Sequence, residues 1–244
     1  MGARDNAGLD IVIPVFNEGG NILRVLGALH DSVRTPFRVL VCYDFDEDDT
    51  LAAIRSGPPM PFEVVPVKNR GRGPHRAVLS GFEASRAPAV LVLPADDDYN
   101  AGIIDTMVRE FREGAEIVCA SRFVPGGRME GAPRLKAFLV RTASFTLYHL
   151  AHLPVRDATN GFRLFSRRVL EKVPIESTEG FTYTIELLAK CHRLGWRIAE
   201  VPAAWFERSQ GKSRFRVMKW ALPYLRWYGY AFATTYLGRG PETL

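Results

Sequence analysis

The chain has 244 residues, 47% hydrophobic and 24% charged, with a formal net charge of +5. That composition buries a core readily and excludes an intrinsically disordered chain. Acids crowd at Asp44–Asp49 and Asp96–Asp98, and bases at Arg122–Arg141, Arg163–Arg168 and Arg208–Lys219. An acidic early pole and a basic later half suggest a cation held in one place and an anion met in another.

In chain order, LDIVIPVF (Leu9–Phe16) is an apolar run ending at Asn17-Glu18-Gly19-Gly20, a buried strand followed by a polar loop. NILRVLGALHDSV has helical spacing. FRVLVCYD (Phe37–Asp44) is a second strand ending in acid, and DTLAAIRS a helix stopped by Gly57-Pro58-Pro59. FEVVPVKN is a third strand, and HRAVLSGFEAS a helix with Pro74 just ahead of it. APAVLVLPADDD is a fourth strand, AGIIDTMVREFREG a helix closed by Gly114, and AEIVCASRF a fifth strand. This alternation predicts an α/β fold with a mostly parallel sheet flanked by helices. In such sheets ligands bind beyond the carboxyl ends of the strands. Asn17-Glu18, Asp44, Asn69-Arg70 and Asp96–Asp98 each follow a strand's last apolar residue, so all four sets should share one edge.

After Arg122 the rhythm changes. PGGRMEGAP reads as a loop, Leu135–Leu150 as a weakly amphipathic helix, and DATNGFRLF as a loop leading into a strand. TYTIELLAKCHRLG is a helix ending on Gly195, and WRIAEVPAAWFERSQGKSR a strand followed by a basic loop. The stretch from Met218 to Tyr236 is apolar and aromatic, but Lys219, Pro223 and Arg226 interrupt it. It suits interfacial contact with a membrane, aromatics at headgroup depth. The competing reading is two short helices packed on the domain, Pro223 opening the second.

The three adjacent aspartates pose the sharpest question. Side chains at i and i+2 of an extended segment share a side, so Asp96 and Asp98 face one cation and Asp97 faces away. Hard divalent ions bind one or two carboxylates plus substrate phosphates. An acidic turn without a ligand is the alternative; the position opposite other polar strand ends favours a metal–diphosphate site. Arg122, at the end of the fifth strand, and Arg208, Lys212 and Arg214, in the late loop, are suited to gripping phosphates. Asp157, taken alone, reads as an Asx-turn or a cap. His149 and His152 read as a core or semi-exposed face rather than a metal pair. Cys42, Cys119 and Cys191 show no zinc or CxxC spacing and read as reduced, buried thiols. MGARDNAGLD lacks an apolar leader core, and no stretch offers about 18 uninterrupted apolar residues, so neither a signal peptide nor a spanning helix is expected.

The stretches IVIPVFNEGGNI, YDFDEDDT, VLSGFEAS, LPADDDYN, SRFVPGG, DATNGFRLFSRRVLEK, EGFTYTIELLAKCHRLGWRIAEVP and ERSQGKSRF, in that order, resemble family 2 glycosyltransferases of the GT-A fold. Within that family the likeness is to dolichyl- and polyprenyl-phosphate mannose synthases, and it runs from about Leu9 to Phe215. The resemblance implies a Rossmann-like GT-A domain over 1–216, with a nucleotide-sugar half at 1–120 and an acceptor half at 121–216. A C-terminal helical segment at 217–244 follows. It implies an inverting transfer of mannose or glucose from a GDP- or UDP-sugar to a lipid phosphate, with Mg²⁺ or Mn²⁺ as cofactor. Pro14, Phe16, Glu18, Asp44, Asn69, Arg70, Ala95 and Asp96 would line the nucleotide site, and Asp96 and Asp98 would hold the metal. Arg122, Arg208, Lys212 and Arg214, with Lys136, would hold phosphates. Asp157 would be the general base for a hydroxyl acceptor, or would orient basic residues for a phosphate acceptor. The expected location is cytoplasmic, with peripheral contact at the cytoplasmic face of the membrane, and no nucleic-acid partner is expected. Two residues depart from the family pattern: Pro94 stands where an Asp is usual, and Tyr43 where an Asp often precedes Asp44. A soluble hydroxyl acceptor and a non-catalytic nucleotide-sugar binder remain as alternatives.

Overall fold

A computed structural model describes residues 8–206 and 217–238, with the backbone alone described for 217–221. Seven strands form one sheet: β1 (Leu9–Pro14), β2 (Phe37–Tyr43), β3 (Val64–Lys68), β4 (Ala89–Val92), β5 (Ile117–Ser121), β7 (Arg163–Ser166) and β8 (Ile198–Pro202). Their order is β3-β2-β1-β4-β7-β5-β8. The pairings β1–β2, β1–β4, β2–β3 and β5–β8 are parallel, and β7 runs antiparallel to both β4 and β5. The expected mostly parallel sheet is present, with one strand reversed in its middle.

Period-two alternation sorts the strand residues into two cores. Leu9, Ile11, Ile13, Val39, Val41, Ala89 and Leu91 belong to one. That face is covered by α1 (Gly19–Ser32) and α4 (Ile104–Arg112), through Ile22, Leu26 and Leu29 and through Ile104, Met107 and Phe111. Val12, Leu40, Cys42, Val90 and Val92 belong to the other. There the cover is α3 (Pro74–Ala84), α7 (Tyr183–Arg193) and α8 (Val217–Tyr236). Gly81 lets α3 approach closely, because a Cβ there would stand 2.4 Å from Val12 Cγ1 and 2.9 Å from Cys42 Sγ. The shorter α2 (Asp49–Ser56) follows β2, and α6 (Arg167–Lys172) follows β7. The three cysteines are buried and free, and burial pushes each thiol up to about 12.

Three details differ from the sequence expectation. The stretch expected as a loop around Gly127 contains β6 (Arg128–Glu130), which pairs in parallel with β9 (Ala204–Phe206). Nothing in the short stretch Arg128-Met129-Glu130 announces a strand; its partner lies more than seventy residues away and supplies the hydrogen bonds. The C-terminal stretch is one helix, not two, with Pro223 inside it. It is packed against the domain by buried Trp227, Ala231 and Thr234, and Tyr228 Oη donates to Thr146 Oγ1 at 2.6 Å on α5 (Arg134–His149). Part of the basic cluster at Arg163–Arg168 is internal. Arg163 is fully buried, donating to the carbonyls of Thr184 and Ala158, and Arg167 donates to Ala87 O. No helix among the described residues is long and apolar enough to cross a membrane.

Candidate active site

Because β1 to β5 and β8 run the same way, their carboxyl ends open on one rim, and the polar strand ends meet there. The loop after β1 is fastened by the acids that precede and open α2. Asn17 N donates to Asp48 Oδ2 (3.0 Å), Glu18 N to Thr50 Oγ1 (2.9 Å) and Gly19 N to Asp49 Oδ1 (2.8 Å). Asp48 also caps α2 by accepting from Thr50 N. Part of the acidic pole is therefore structural: these carboxylates satisfy backbone donors. Phe16, 45% exposed, meets Phe45 edge-on at 5.4 Å.

Asp44 stands at the end of β2, where Asn69 Nδ2 donates to its Oδ1 at 2.6 Å and Gly73 N to its Oδ2 at 2.8 Å. Asn69 Oδ1 accepts from Gly71 N, so Asp44 and Asn69 together shape the glycine-rich turn before α3. Arg70 turns its guanidinium to Glu83 on α3, at 2.9 Å, in an exposed pair. Pro14 is half-buried at the end of β1, and Glu18 Oε2 accepts from Asn21 Nδ2 at 2.7 Å.

The acid triplet separates as expected, by a different device. The segment is a turn, with Asp97 N donating to Pro94 O at 3.2 Å, rather than an extended strand end. Asp97 is buried because Asn100 holds it, donating from its backbone N and from Nδ2. Asn100 also donates to Ala204 O (2.7 Å) and accepts from Ala204 N (3.0 Å), pinning the turn to β9. Burial and the neighbouring Asp96 and Asp98 push the Asp97 carboxyl up to about 7 against the pull of Asn100. Ala95 is buried beneath the turn, while Asp96 and Asp98 are half-exposed on the rim. A cation beside Asp98 comes from α1: Arg24 Nε lies 3.5 Å from Asp98 Oδ2.

No group of three or more His, Cys, Asp or Glu that could hold a metal occurs among the described residues. Two rim carboxylates with Asp97 withdrawn are nevertheless a hard oxygen set. They fit an ion such as Mg²⁺ or Mn²⁺, which takes one or two carboxylates and leaves the remaining positions to phosphates and water.

Beyond β5 the pattern reverses. Arg122 is 8% exposed and Asp157 is 0% exposed, and the two form a bidentate pair. Arg122 Nε donates to Asp157 Oδ2 at 2.7 Å, Nη2 to Oδ1 at 2.8 Å, and the Arg122 backbone N to Oδ2 at 3.0 Å. Nη2 also reaches Thr159 Oγ1 at 2.9 Å. Glu200 on β8 fixes the loop by accepting from the backbone N of Arg156 and of Asp157. Burial alone would raise the Asp157 carboxyl, but the Arg122 guanidinium and its hydrogen bonds outweigh it and hold it below the ordinary carboxylate value. Gly127 folds back over this corner, where a Cβ would stand 2.4 Å from Ser121 O.

Lys136 packs its ammonium 4.3 Å over the Trp205 ring. Arg208, Lys212 and Arg214 lie outside the described residues. His149 lies tilted against Phe145, ring centroids 4.4 Å apart, in an exposed ring pair. Sequence reasoning missed Arg24, Phe45, Asn100, Thr159 and Glu200. A clue existed for Asn100, an Asx-turn former three residues after Asp97, but its partner on β9 left no local trace.

Residues 10–174 match the family described as glycosyl transferase family 2. A relative in Mycolicibacterium smegmatis, polyprenol monophosphomannose synthase, is 28% identical over 87% of this chain and 86% of its own length. Undecaprenyl-phosphate mannosyltransferase of Micrococcus luteus is 28% identical over 89% of this chain and 95% of its own length. Among solved structures, glucosyl-3-phosphoglycerate synthase of Mycobacterium tuberculosis was crystallised with Mn²⁺, UDP and glucosyl-3-phosphoglycerate. It superposes with a TM-score of 0.67 at 19% identity, over 91% of this chain and 80% of that one. The same enzyme was also crystallised with Mg²⁺ and UDP. The strand order, the rim of polar strand ends and the match over residues 10–174 agree: the chain belongs to glycosyl transferase family 2 and has its GT-A architecture.

Proposed function

We propose that the chain is an inverting hexosyltransferase acting on a polyprenyl or dolichyl phosphate, with a GDP- or UDP-linked mannose or glucose as donor and Mg²⁺ or Mn²⁺ at Asp96 and Asp98. The observation that carries the acceptor class is the state of Asp157. It is fully buried, both its oxygens accept from Arg122, and its proton affinity is lowered. Such a carboxylate is a poor base for a hydroxyl. A phosphate monoester, with a second pKa of about 6, is already anionic at neutral pH and needs positioning rather than deprotonation. Asp157 is then a positioning residue that aims Arg122, and the hydrogen bonds described for Arg122 leave Nη1 for the acceptor phosphate. The names of the two curated relatives support the same acceptor class.

The chemistry is a single displacement. An acceptor phosphate oxygen attacks the anomeric carbon, the bond from that carbon to the diphosphate oxygen breaks, and the nucleoside diphosphate leaves with the bonding pair; attack opposite the leaving group inverts the centre. The divalent ion supplies neutralisation of the departing diphosphate charge. Phe16 and Phe45 offer the base an apolar surface, and Asp44 with Asn69 orders the turn beside the nucleoside. Lys136 is the remaining described candidate for phosphate contact; its place over Trp205 leaves the charge near β9.

Membrane contact is assigned mainly to α5, with the outward face of α8 contributing. Leu135, Phe138, Leu139 and Phe145 are 43–70% exposed along α5, with Arg134 and Arg141 exposed among them. On α8, Leu222 and Leu225 are exposed. An apolar stripe with basic neighbours suits the headgroup boundary of an anionic bilayer.

The test is transfer from GDP- and UDP-mannose and -glucose, with Mn²⁺ or with chelator, to a polyprenyl phosphate and to soluble hydroxyl acceptors. Metal-dependent transfer to the lipid phosphate is expected. Transfer to hydroxyl acceptors alone overturns the acceptor class. The absence of both turnover and metal-dependent nucleotide binding overturns the donor site.

A further inference from the structure

Three adjacent carboxylates repel one another unless each finds compensation. Asp97 is compensated by burial against Asn100. Asp98 has Arg24 within ion-pair distance, at 3.5 Å, and Arg24 is itself held in place. Its Nη2 donates to Asn21 Oδ1 at 2.8 Å, and Asn21 Nδ2 donates to Glu18 Oε2 at 2.7 Å. Residues at i, i+3 and i+6 lie along one side of a helix, so Glu18, Asn21 and Arg24 form a file from the first loop to the acid turn. The two arginine–carboxylate pairs of the rim are built differently. The Arg122 and Asp157 side chains are 7% and 0% exposed and bidentate. Arg24 and Asp98 are 58% and 33% exposed, and their contact is long. Exposed, imperfect pairs are weak and salt-screened, which makes them displaceable.

The geometry points to Arg24 as a counter-cation at Asp98 that a divalent ion must displace, so that this side chain sets the concentration of metal at which the site fills. The inference rests on the reading that Asp96 and Asp98 hold the ion. It explains how the acid turn remains folded before the ion arrives: a guanidinium tethered through Asn21 offsets the repulsion without closing the site. It also gives α1 a part in metal selection beyond covering the sheet.

The probe is Mn²⁺ alone, with free ion counted by electron paramagnetic resonance against the full chain at low and high salt. At low salt Arg24→Gln should bind Mn²⁺ roughly three- to tenfold more tightly, the size expected on removing one exposed like charge and one exposed pair. The gain should shrink at high salt. Arg24→Lys, which keeps the charge, should stay within about twofold of the natural chain. Asn21→Ala, which removes only the tether, should shift affinity in the same direction as Arg24→Gln and by less. In an Asp98→Asn background, adding Arg24→Gln should have a smaller effect. Unchanged or weaker Mn²⁺ binding in Arg24→Gln, with Asp98→Asn still lowering affinity, overturns the counter-cation role and leaves the metal site standing. Mn²⁺ binding untouched by Asp96→Asn and by Asp98→Asn overturns the site and this inference together.

Discussion

The turn after β4 and the corner after β5 both place aspartates on the rim, and the protein treats them oppositely. Asp96 and Asp98 are half-exposed, and a long, exposed ion pair joins Asp98 to Arg24 on α1. Asp157 is enclosed and saturated by Arg122 and its backbone N–H. Leaving water costs an ion several kcal/mol, and only close hydrogen-bonded partners repay that cost. An open carboxylate can exchange partners, as a metal ligand must; a sealed one can only hold its partner still. The difference between the two regions is thus one of burial more than of residue type.

The sharpest way to break this contrast is Asp157→Ala. Stranding the buried Arg122 should cost about 3–5 kcal/mol in urea unfolding. The pH dependence has a definite sign. The Asp157 carboxyl is depressed from its ordinary 3.8, so its stabilisation is present above that pH and fades as pH falls through the lower folded value. Unfolding free energies of the natural chain and Asp157→Asn should therefore converge below that pH, and a gap that persists there would mean the pair is not the cause. Asn100→Ala comes next, at about 1–3 kcal/mol, because it removes the side-chain donor to Asp97, leaving only the backbone N–H, and takes that side chain from the Ala204 backbone groups. Arg122→Ala should weaken acceptor use more than donor binding; equal loss of both would remove the division between the two regions. Asp96→Ala should change stability by no more than about 0.5 kcal/mol while abolishing Mn²⁺-dependent nucleotide binding in calorimetry. The smallest effect on the fold belongs to Phe138→Ser, 64% exposed on α5: thermal stability should hold, and binding to anionic vesicles should fall in a flotation assay.

Local chemistry made much of the molecule legible before folding. Unbroken apolar runs marked β1 to β5, glycine and proline marked the stops, and parallel alternation put Asn17, Asp44, Asn69 and Asp96 on a common edge. What escaped was whatever depends on partners distant in the chain. The stretch DATNGFRLF shows a strand, but not that β7 would enter reversed between β4 and β5. PGGRMEGAP shows turn formers, but not a strand completed by Ala204–Phe206.

The sequence alone determined most of the elements and the edge on which the acids gather, because periodicity, caps and strand polarity act within a few residues. Only the tertiary structure decided which acid is sealed, which is open and which arginine stands beside each. Burial, and the partners that make it tolerable, are contributed by segments far apart in the chain.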